Sequence, residues 1–233
     1  MSGVPGWMRA GLLVLAIACC STATAPGSDA LDAYRALPRD ARAGILECAR
    51  QAIAAACTPG ATPFAPHSAA PAAVRPAAGA QPAGQPAPDW PGPPCGVYLS
   101  LARGTRTRAC VGSLTPLGGT LSATLRELAR RVISDDPRHP PVRGEELDSL
   151  TVLVSFAGPP EPIADPMSIA PAREGLLITS ARGSIAFLPG EARTVSWALS
   201  EARRVGMLQR ASDASFQRFS VVVLKHVPTA ASR

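Results

Sequence analysis

Aromatic residues are scarce in this chain and make up only 4% of its 233 residues. Much of the apolar 46% is alanine, and the chain also holds 25 prolines and 20 glycines. Such a composition builds a modest core and leaves part of a chain without a fold. The sequence therefore predicts one domain of ordinary size with appendages rather than several large domains.

Lysine is almost absent, since Lys225 is the single lysine among 23 basic residues. A net charge of +6 would favour nucleic-acid binding if the cations were clustered on one face. The arginines are instead spread over the whole chain, and no basic run is interleaved with stacking aromatics. We therefore expect no nucleic-acid partner.

Histidine is also rare, with His67 in a low-complexity stretch and His226 near the C-terminus. This leaves His139 as the one histidine well inside the region of regular patterning. No spacing of histidines, cysteines and carboxylates resembles a known metal site. The sequence thus predicts neither a metal nor a cofactor.

The N-terminal apolar run, "AGLLVLAIA" at residues 10–18, is too short to span a bilayer comfortably. Preceded by Arg9, it is typical of an export signal over residues 1–18. "AIAC" then resembles a bacterial lipobox, which predicts lipidation of Cys19, a tether over residues 19–29 and anchoring in the cell envelope. An ordinary cleavage site at Ala23–Ala25 is the alternative, although Pro26 follows it. If the apolar run is not a signal, the protein is cytoplasmic.

Residues 30–57 have the spacing of a helix interrupted near Pro38, with Leu46, Ile53, Ala43 and Ala54 in one stripe. Residues 58–93 are rich in proline and alanine and bury almost nothing, which predicts a disordered insertion. Regular patterning then resumes in a domain body over residues 94–227, followed by a tail over residues 228–233.

The body alternates strands and helices without a regular βαβ repeat. "RGTR" predicts a hairpin turn, Thr120 an N-cap, Ser196 a second N-cap and Gly206 a left-handed helix end. The predicted strands are residues 96–102, 107–113, 150–157, 175–181, 183–188 and 218–225, and the predicted helices are residues 121–134 and 196–206. The pattern indicates an α+β fold with a mostly antiparallel sheet and flanking helices.

Eight motifs follow one another along the chain, namely "GVYLSL", "TRACVGS", "DDPRHPPV", "EELDSLTVLVSF", "PEPI", "REGLLI", "FLPGEA" and "ARRVGM". In this order they resemble the motifs of the AMMECR domain family. The resemblance implies an α+β fold without a settled activity. It also implies partnership with Memo-type proteins and radical SAM enzymes, as component A of the AmmeMemoRadiSam system. Because iron–sulfur chemistry belongs in a reducing compartment, an exported member has either left that system or has an exported partner.

Two motifs supply the candidate site. The family pattern Leu-Arg-Gly-Cys-Ile-Gly stands here at residues 107–112, where Arg108, Cys110 and Gly112 match. Ala109 replaces a glycine, and its methyl group is expected to narrow the site. The family pattern Asp-Pro-Arg-Phe-Pro-Pro stands at residues 136–141, with His139 in place of the aromatic residue.

Cys110 has two interpretations. In a regular strand, Arg106, Arg108 and Cys110 point to one face, and guanidinium groups beside a thiol favour the thiolate. Cys110 is then a nucleophile, with His139 as its base. Alternatively, Cys110 packs as a small apolar residue while the arginines pair with carboxylates.

The loop around Asp136 also has two interpretations. Arg108 and Arg138 could converge on a small anionic ligand, because paired guanidinium groups bind carboxylate or phosphate. Alternatively, prolines make the loop rigid, and Asp135 or Asp136 pairs with Arg138 or Arg108. The candidate ligand-binding residues are Arg108, Cys110, Gly112, Asp136 and Arg138.

Export predicts that cysteines able to meet are oxidised. With the hairpin turn at "RGTR", Cys110 is expected opposite Leu99, too far from Cys95 for a bridge. We expect a disulfide between Cys57 and Cys95 and a free Cys110.

Three functions are therefore expected, two from the residues themselves and the third from the family resemblance. The first is a non-enzymatic domain that binds a ligand or protein and is tethered in the bacterial cell envelope. The second is an enzyme that uses Cys110 as a nucleophile on an acidic or carbonyl substrate. The third is component A of an AmmeMemoRadiSam system.

Overall fold

The computed structural model describes residues 26–58, 95–115, 117 and 119–226. The predicted signal peptide, Cys19, most of the proline-rich insertion and the C-terminal tail lie outside these residues. No helix in the described ranges has both the length and the apolar character needed to cross a membrane.

Four α-helices and eight β-strands form the described part of the chain. The helices are α1 (Pro26–Arg35), α2 (Arg39–Ala56), α3 (Leu121–Ser134) and α4 (Val195–Arg204). The strands are β1 (Gly96–Arg103), β2 (Arg106–Ser113), β3 (Thr151–Ala157), β4 (Glu161–Ile163), β5 (Gly175–Ser180), β6 (Gly183–Phe187), β7 (Ala214–Phe219) and β8 (Val221–His226). Three short 3-10 helices at Gly144–Ser149, Pro166–Ser168 and Ala211–Asp213 complete the order. Helix α1 begins at Pro26, ahead of the predicted start at residue 30.

The first sheet has the strand order β2-β1-β3-β8, with every pair antiparallel. Its core includes residues of α2 and α3, and α3 begins as predicted because Thr120 Oγ1 accepts a hydrogen bond from the Ala123 amide at 3.2 Å. The buried stripe of α2 consists of Ile45, Leu46, Ala49 and Ile53.

Two alanines assigned to the α2 stripe, Ala43 and Ala54, are exposed, and that part of the prediction is wrong. Alanine occurs all around this helix, so its spacing carries little information. The positions of the larger apolar side chains define the buried face.

The second sheet has the strand order β4-β7-β5-β6, again antiparallel, and α4 packs on it. The single final strand predicted at residues 218–225 is wrong, because the chain changes sheets at Ser220. Phe219 ends β7 in the second sheet, and Val221 begins β8 in the first. The α+β class and antiparallel pairing are confirmed, in two sheets rather than one.

The ends of α4 differ in how far they follow the sequence prediction. Thr194, not Ser196, is the N-cap, because its hydroxyl accepts from the Trp197 amide at 3.1 Å. Gly206 has φ +78°, as predicted for a left-handed position after a helix.

A third, smaller apolar cluster joins the two sheets. It contains Tyr98 and Cys110 from the first sheet, with Leu188 and Phe219 from the second sheet and its flank. The rings of Tyr98 and Phe219 stack with centroids 6.4 Å apart. Cys110 thus lies where the two sheets meet.

The predicted disulfide between Cys57 and Cys95 is wrong, since all four cysteines within the described ranges are free thiols. Cys57 ends α2 beside Gly144, whereas Cys95 is buried near Tyr34, where burial raises the pKa of the Cys95 thiol to about 11. The two cysteines flank the proline-rich insertion in the sequence, but the structure places them next to different residues. Cys110 is free, as expected.

Candidate functional site

A bulge in β2 sets the geometry around Cys110. Leu101 pairs with Ala109 and Ala102 pairs with Thr107, so Arg108 is an extra residue between two successive partners of β1. The extra residue shifts the register by one position. Cys110 therefore pairs with Ser100 and not with Leu99, which corrects the predicted opposition.

The bulge also separates Arg108 from Cys110. The Arg108 side chain donates to both Glu146 carboxylate oxygens, at 3.0 and 2.9 Å, and to the carbonyls of Pro140 and Pro141 at 2.8 and 3.0 Å. The predicted common face of Arg106, Arg108 and Cys110 is wrong, because strand alternation is interrupted at the bulge.

Glu146 is the partner that fixes Arg108. Hydrogen bonds from Arg108, with a further one from the Arg143 backbone amide, lower the pKa of Glu146 to about 2. The pair holds the 3-10 helix Gly144–Ser149 against the hairpin. This ion pair stabilises the fold and lies outside the cleft described below.

Asp136 reaches β2 from the loop after α3. Its Oδ2 accepts from the Cys110 backbone amide at 2.8 Å, and its Oδ1 accepts from the Arg138 amide at 2.9 Å. The Arg138 side chain donates to both oxygens at 3.0 Å. Burial acts to raise the pKa of Asp136, but the Arg138 charge and these hydrogen bonds hold it below its usual value.

Arg138 ties the two sheets together. Its guanidinium donates to the Cys110 carbonyl and to Glu191 Oε2, both at 3.4 Å, and lies 5.8 Å from the centroid of the Phe187 ring. The Arg138 side chain is only 7% exposed. Burial acts against its charge, but Glu191 and Asp136 outweigh that effect and raise the pKa of Arg138 above its usual value.

The Cys110 thiol lies in surroundings that oppose ionisation. The residue is buried, and Ser100 Oγ donates to its Sγ at 3.2 Å. Burial raises the pKa of Cys110 well above its usual value, and Glu191 adds to the effect, while Arg138 and Ser100 oppose it. The expectation of an arginine-activated thiolate is therefore wrong, because desolvation outweighs the single nearby guanidinium.

A cleft of about 390 Å³ opens beside this cluster, between the two sheets. Four predicted site residues line it, namely Cys110, Gly112, Asp136 and Arg138. The other lining residues are Tyr98, Val111, Ser113, Leu114, Thr115, Arg131, Asp135, Pro137, Leu177, Ser184, Ile185, Ala186 and Met207.

Arg108, His139 and Ala109 do not line this cleft. Among the described residues no hydrogen bond joins His139 to Cys110, and burial lowers the pKa of His139. The Ala109 methyl group packs into the core under the first sheet. The expectation that it narrows the site is wrong, since it faces away from the cleft.

Gly112 is required by its neighbour across the hairpin. A Cβ atom at this position would lie 2.4 Å from ring atoms of Tyr98 and 2.4 Å from the Val97 carbonyl oxygen. The Tyr98 ring therefore occupies the space above Gly112 and covers the third cluster. Burial raises the pKa of Tyr98 above its usual value.

Glu191 and Tyr98 belong to the site but were not predicted from the sequence. Glu191 accepts from Arg138, from the Leu188 amide at 2.9 Å and from the Thr107 hydroxyl at 3.3 Å. Glu191 lies in "FLPGEA" and Tyr98 in "GVYLSL", two of the motifs that carry the family resemblance. Membership of these motifs is the sequence feature that could have identified them. The described ranges contain no group of histidines, cysteines and carboxylates arranged to hold a metal ion.

Comparison with known proteins gives one family. The AMMECR1 family model matches residues 46–224 of the chain. A protein of Thermococcus gammatolerans is 38% identical over 104 residues, covering 40% of this chain and 50% of that protein. A protein of Thermotoga maritima is 35% identical over 71 residues, covering 30% of this chain and 41% of that protein. The matched part of the chain thus spans about half the length of the curated relatives, or less.

The fold has a solved counterpart. The crystal structure of uncharacterized protein PH0010 from Pyrococcus horikoshii superposes with a TM-score of 0.51 at 26% sequence identity. The superposition covers 77% of this chain and 88% of that one. The likeness extends beyond the cysteine motif to most of the described elements.

Proposed function

Because the chain belongs to the AMMECR1 family, we propose that it is a non-enzymatic binding domain whose ligand or protein partner occupies the cleft between the two sheets. The observation that carries this proposal is the environment of Cys110 in the motif at residues 107–112. Cys110 is a buried thiol, and beside it Arg138 forms ion pairs with both Asp136 and Glu191. These paired groups lie next to an open cleft. Such a set keeps the cleft in one shape before anything binds, which lowers the cost of binding.

Cysteine catalysis has little support from this geometry. A nucleophilic cysteine needs a low thiol pKa and access to its substrate. Cys110 lines the cleft but is buried and has a raised thiol pKa, and His139 makes no hydrogen bond to it within the described part of the chain. The enzyme hypothesis therefore ranks below the binding hypothesis.

The charges around the cleft are paired with one another, which favours an uncharged ligand over a small anion. Arg108 is paired with Glu146, and Arg138 is paired with Asp136 and Glu191. An anionic ligand would have to displace one of these carboxylates. Arg131 also lines the cleft, and its Nε atom lies 3.6 Å from Asp135 Oδ2, so this partly exposed arginine is paired as well.

We also propose, from the sequence alone, that Cys19 carries a lipid that anchors the domain in the cell envelope. Fractionation of a bacterial expression host should find the full chain in the membrane and Cys19→Ser released from it. If both forms are found in the soluble cytoplasmic fraction, the tether is excluded. The role beside Memo-type and radical SAM partners stays a prediction from the resemblance.

A fragment screen by NMR tests the binding function. The ¹⁵N-labelled chain is titrated with a library of small neutral and acidic fragments, and the amides that shift are mapped. We expect neutral hits to shift the amides of Gly112, Ser113 and Ser184. Ser184→Trp places a large side chain in the cleft and should remove those hits.

Ser200→Trp is the matched control, because Ser200 is exposed on α4 and does not line the cleft. It should retain all the hits. Fragments that bind only outside the cleft, or hits insensitive to Ser184→Trp, would exclude the proposed binding site.

A further inference from the structure

Two sheet edges border the same cleft. β2 is the outermost strand of the first sheet, and β6 is the outermost strand of the second. Residues 110–113 of β2 and residues 184–186 of β6 all line the cleft. An outermost strand presents backbone N–H and C=O groups that no further strand of its own sheet can satisfy.

At Cys110 these outward backbone groups are already satisfied. Asp136 accepts from the Cys110 N–H, and Arg138 donates to the Cys110 C=O. A carboxylate and a guanidinium thus take the places that the carbonyl and amide of an added strand would take. They also show that the Cys110 backbone groups point away from β1.

In an antiparallel pair the direction of the backbone groups alternates, so the N–H and C=O of Gly112 point outward like those of Cys110. No side chain within the described ranges hydrogen-bonds the outward groups of Gly112. Its position in the cleft leaves them open to an incoming chain.

The rest of the β2 edge is protected. Arg106 and Arg108 carry charge along its first half, which is a common way of preventing strand addition. The loop bearing Asp136 and Arg138 covers the middle. The unprotected part of this edge is therefore the short segment around Gly112, and it is the part that lies in the cleft.

We propose that the cleft binds an extended polypeptide segment, which pairs through its backbone with the outer edge of β2 at Gly112. This inference rests on the proposed binding function and names its partner class. The charged side chains lining the cleft are two arginines and two aspartates, all in ion pairs, and the apolar lining includes Leu177 and Ala186, which pack against the third cluster. The bound segment therefore carries small or apolar, uncharged side chains.

The probe is a phage-displayed library of random linear peptides, selected on the full chain and counter-selected on Ser184→Trp. An enriched sequence is synthesised in two N-methylated series, offset by one residue, so that each series removes every second backbone N–H. Only one series removes the donors that face β2. That series should bind about fivefold more weakly, as expected for the loss of the one hydrogen bond donated to the Gly112 carbonyl, while the offset series keeps most of the affinity.

Hydrogen exchange at one amide gives an independent readout. Binding of the unmodified peptide should slow exchange of the Gly112 amide, whereas the Cys110 amide, already bonded to Asp136, should change little. Equal affinity of the two series, or no protection at Gly112, would overturn the inference. Protection of Gly112 without peptide, together with dimers in sedimentation, would also overturn it by assigning the edge to a second copy of the chain.

The outcomes also separate this inference from the proposed function. If neutral fragments enter the cleft but no selected peptide protects Gly112, the peptide inference is wrong and the binding function stands. If neither fragments nor peptides enter the cleft, both are wrong.

Discussion

The backbone amide of Cys110 donates to the Asp136 carboxylate at 2.8 Å, deep between a strand edge and the loop that covers it. Asp136→Ala would remove this acceptor and the closest partner of the buried Arg138 guanidinium. Leaving a buried charge poorly paired costs about 3 kcal/mol or more in the free energy of unfolding. Urea denaturation followed by circular dichroism measures the loss.

Asp135→Ala is the matched control for Asp136→Ala. The Asp135 side chain is 42% exposed, lies 3.6 Å from the Arg131 guanidinium and, among the described residues, accepts a hydrogen bond only from the exposed Ser134 hydroxyl at 2.6 Å. Its removal should change the free energy of unfolding by no more than about 0.5 kcal/mol. Equal effects of the two substitutions would contradict the structural role given to Asp136.

Gly112→Ala tests the contact between β2 and the Tyr98 ring. An added Cβ would meet both a side chain and a backbone carbonyl at 2.4 Å, so the two strands have to move apart. The expected destabilisation is about 1–3 kcal/mol, as for other overpacked sites. Thermal melts of Gly112→Ala and Gly144→Ala measure the difference. At Gly144 the nearest atom to an added Cβ is 3.8 Å away, so Gly144→Ala should leave the melting temperature nearly unchanged.

Glu146 gives the fold a defined dependence on acid. Hydrogen bonds from Arg108 lower its folded-state pKa to about 2, below the unfolded value of about 4.3. Its stabilisation is therefore complete above the unfolded pKa and is lost as the pH falls toward the folded pKa. Glu146→Gln should lower the free energy of unfolding by about 1–2 kcal/mol at pH 7 and by much less near pH 2.

Urea titrations of both proteins at a series of pH values between 7 and 2 measure this difference. A gap between wild type and Glu146→Gln that stays constant across the range would contradict the ion pair with Arg108. Arg143→Ala serves as a control, because it removes only an exposed side chain and leaves its backbone amide bond to Glu146.

Local patterns predicted most elements of the domain body because they depend on neighbouring residues. The turn at "RGTR", the Thr120 cap and the left-handed Gly206 are local features, and the structure confirms them. The division of the final strand at Ser220 is not local. It depends on where the Phe219 ring packs, against Tyr98 between the two sheets.

The candidate site was predicted in part. Strand alternation placed Arg108 beside Cys110, but a bulge that turns Arg108 toward Glu146 has no clear signature in the sequence. The family resemblance grouped Asp136 and Arg138 with Cys110 in one candidate site. In the structure both side chains hydrogen-bond the Cys110 backbone. Burial of the thiol was the deciding quantity, and it depends on residues distant in sequence such as Tyr98 and Glu191.

The binding function is tested most sharply by the rate of Cys110 alkylation by iodoacetamide as a function of pH, followed by mass spectrometry of the Cys110 peptide. We predict labelling at least about a hundredfold slower than in the unfolded chain, because burial of Cys110 at the wall of the cleft suppresses formation of the reactive thiolate. The rate should show no plateau below pH 9, since burial raises the pKa of Cys110. Rapid labelling of the folded protein, with an apparent pKa well below about 8.5, would contradict the non-enzymatic binding function and support Cys110 as a nucleophile.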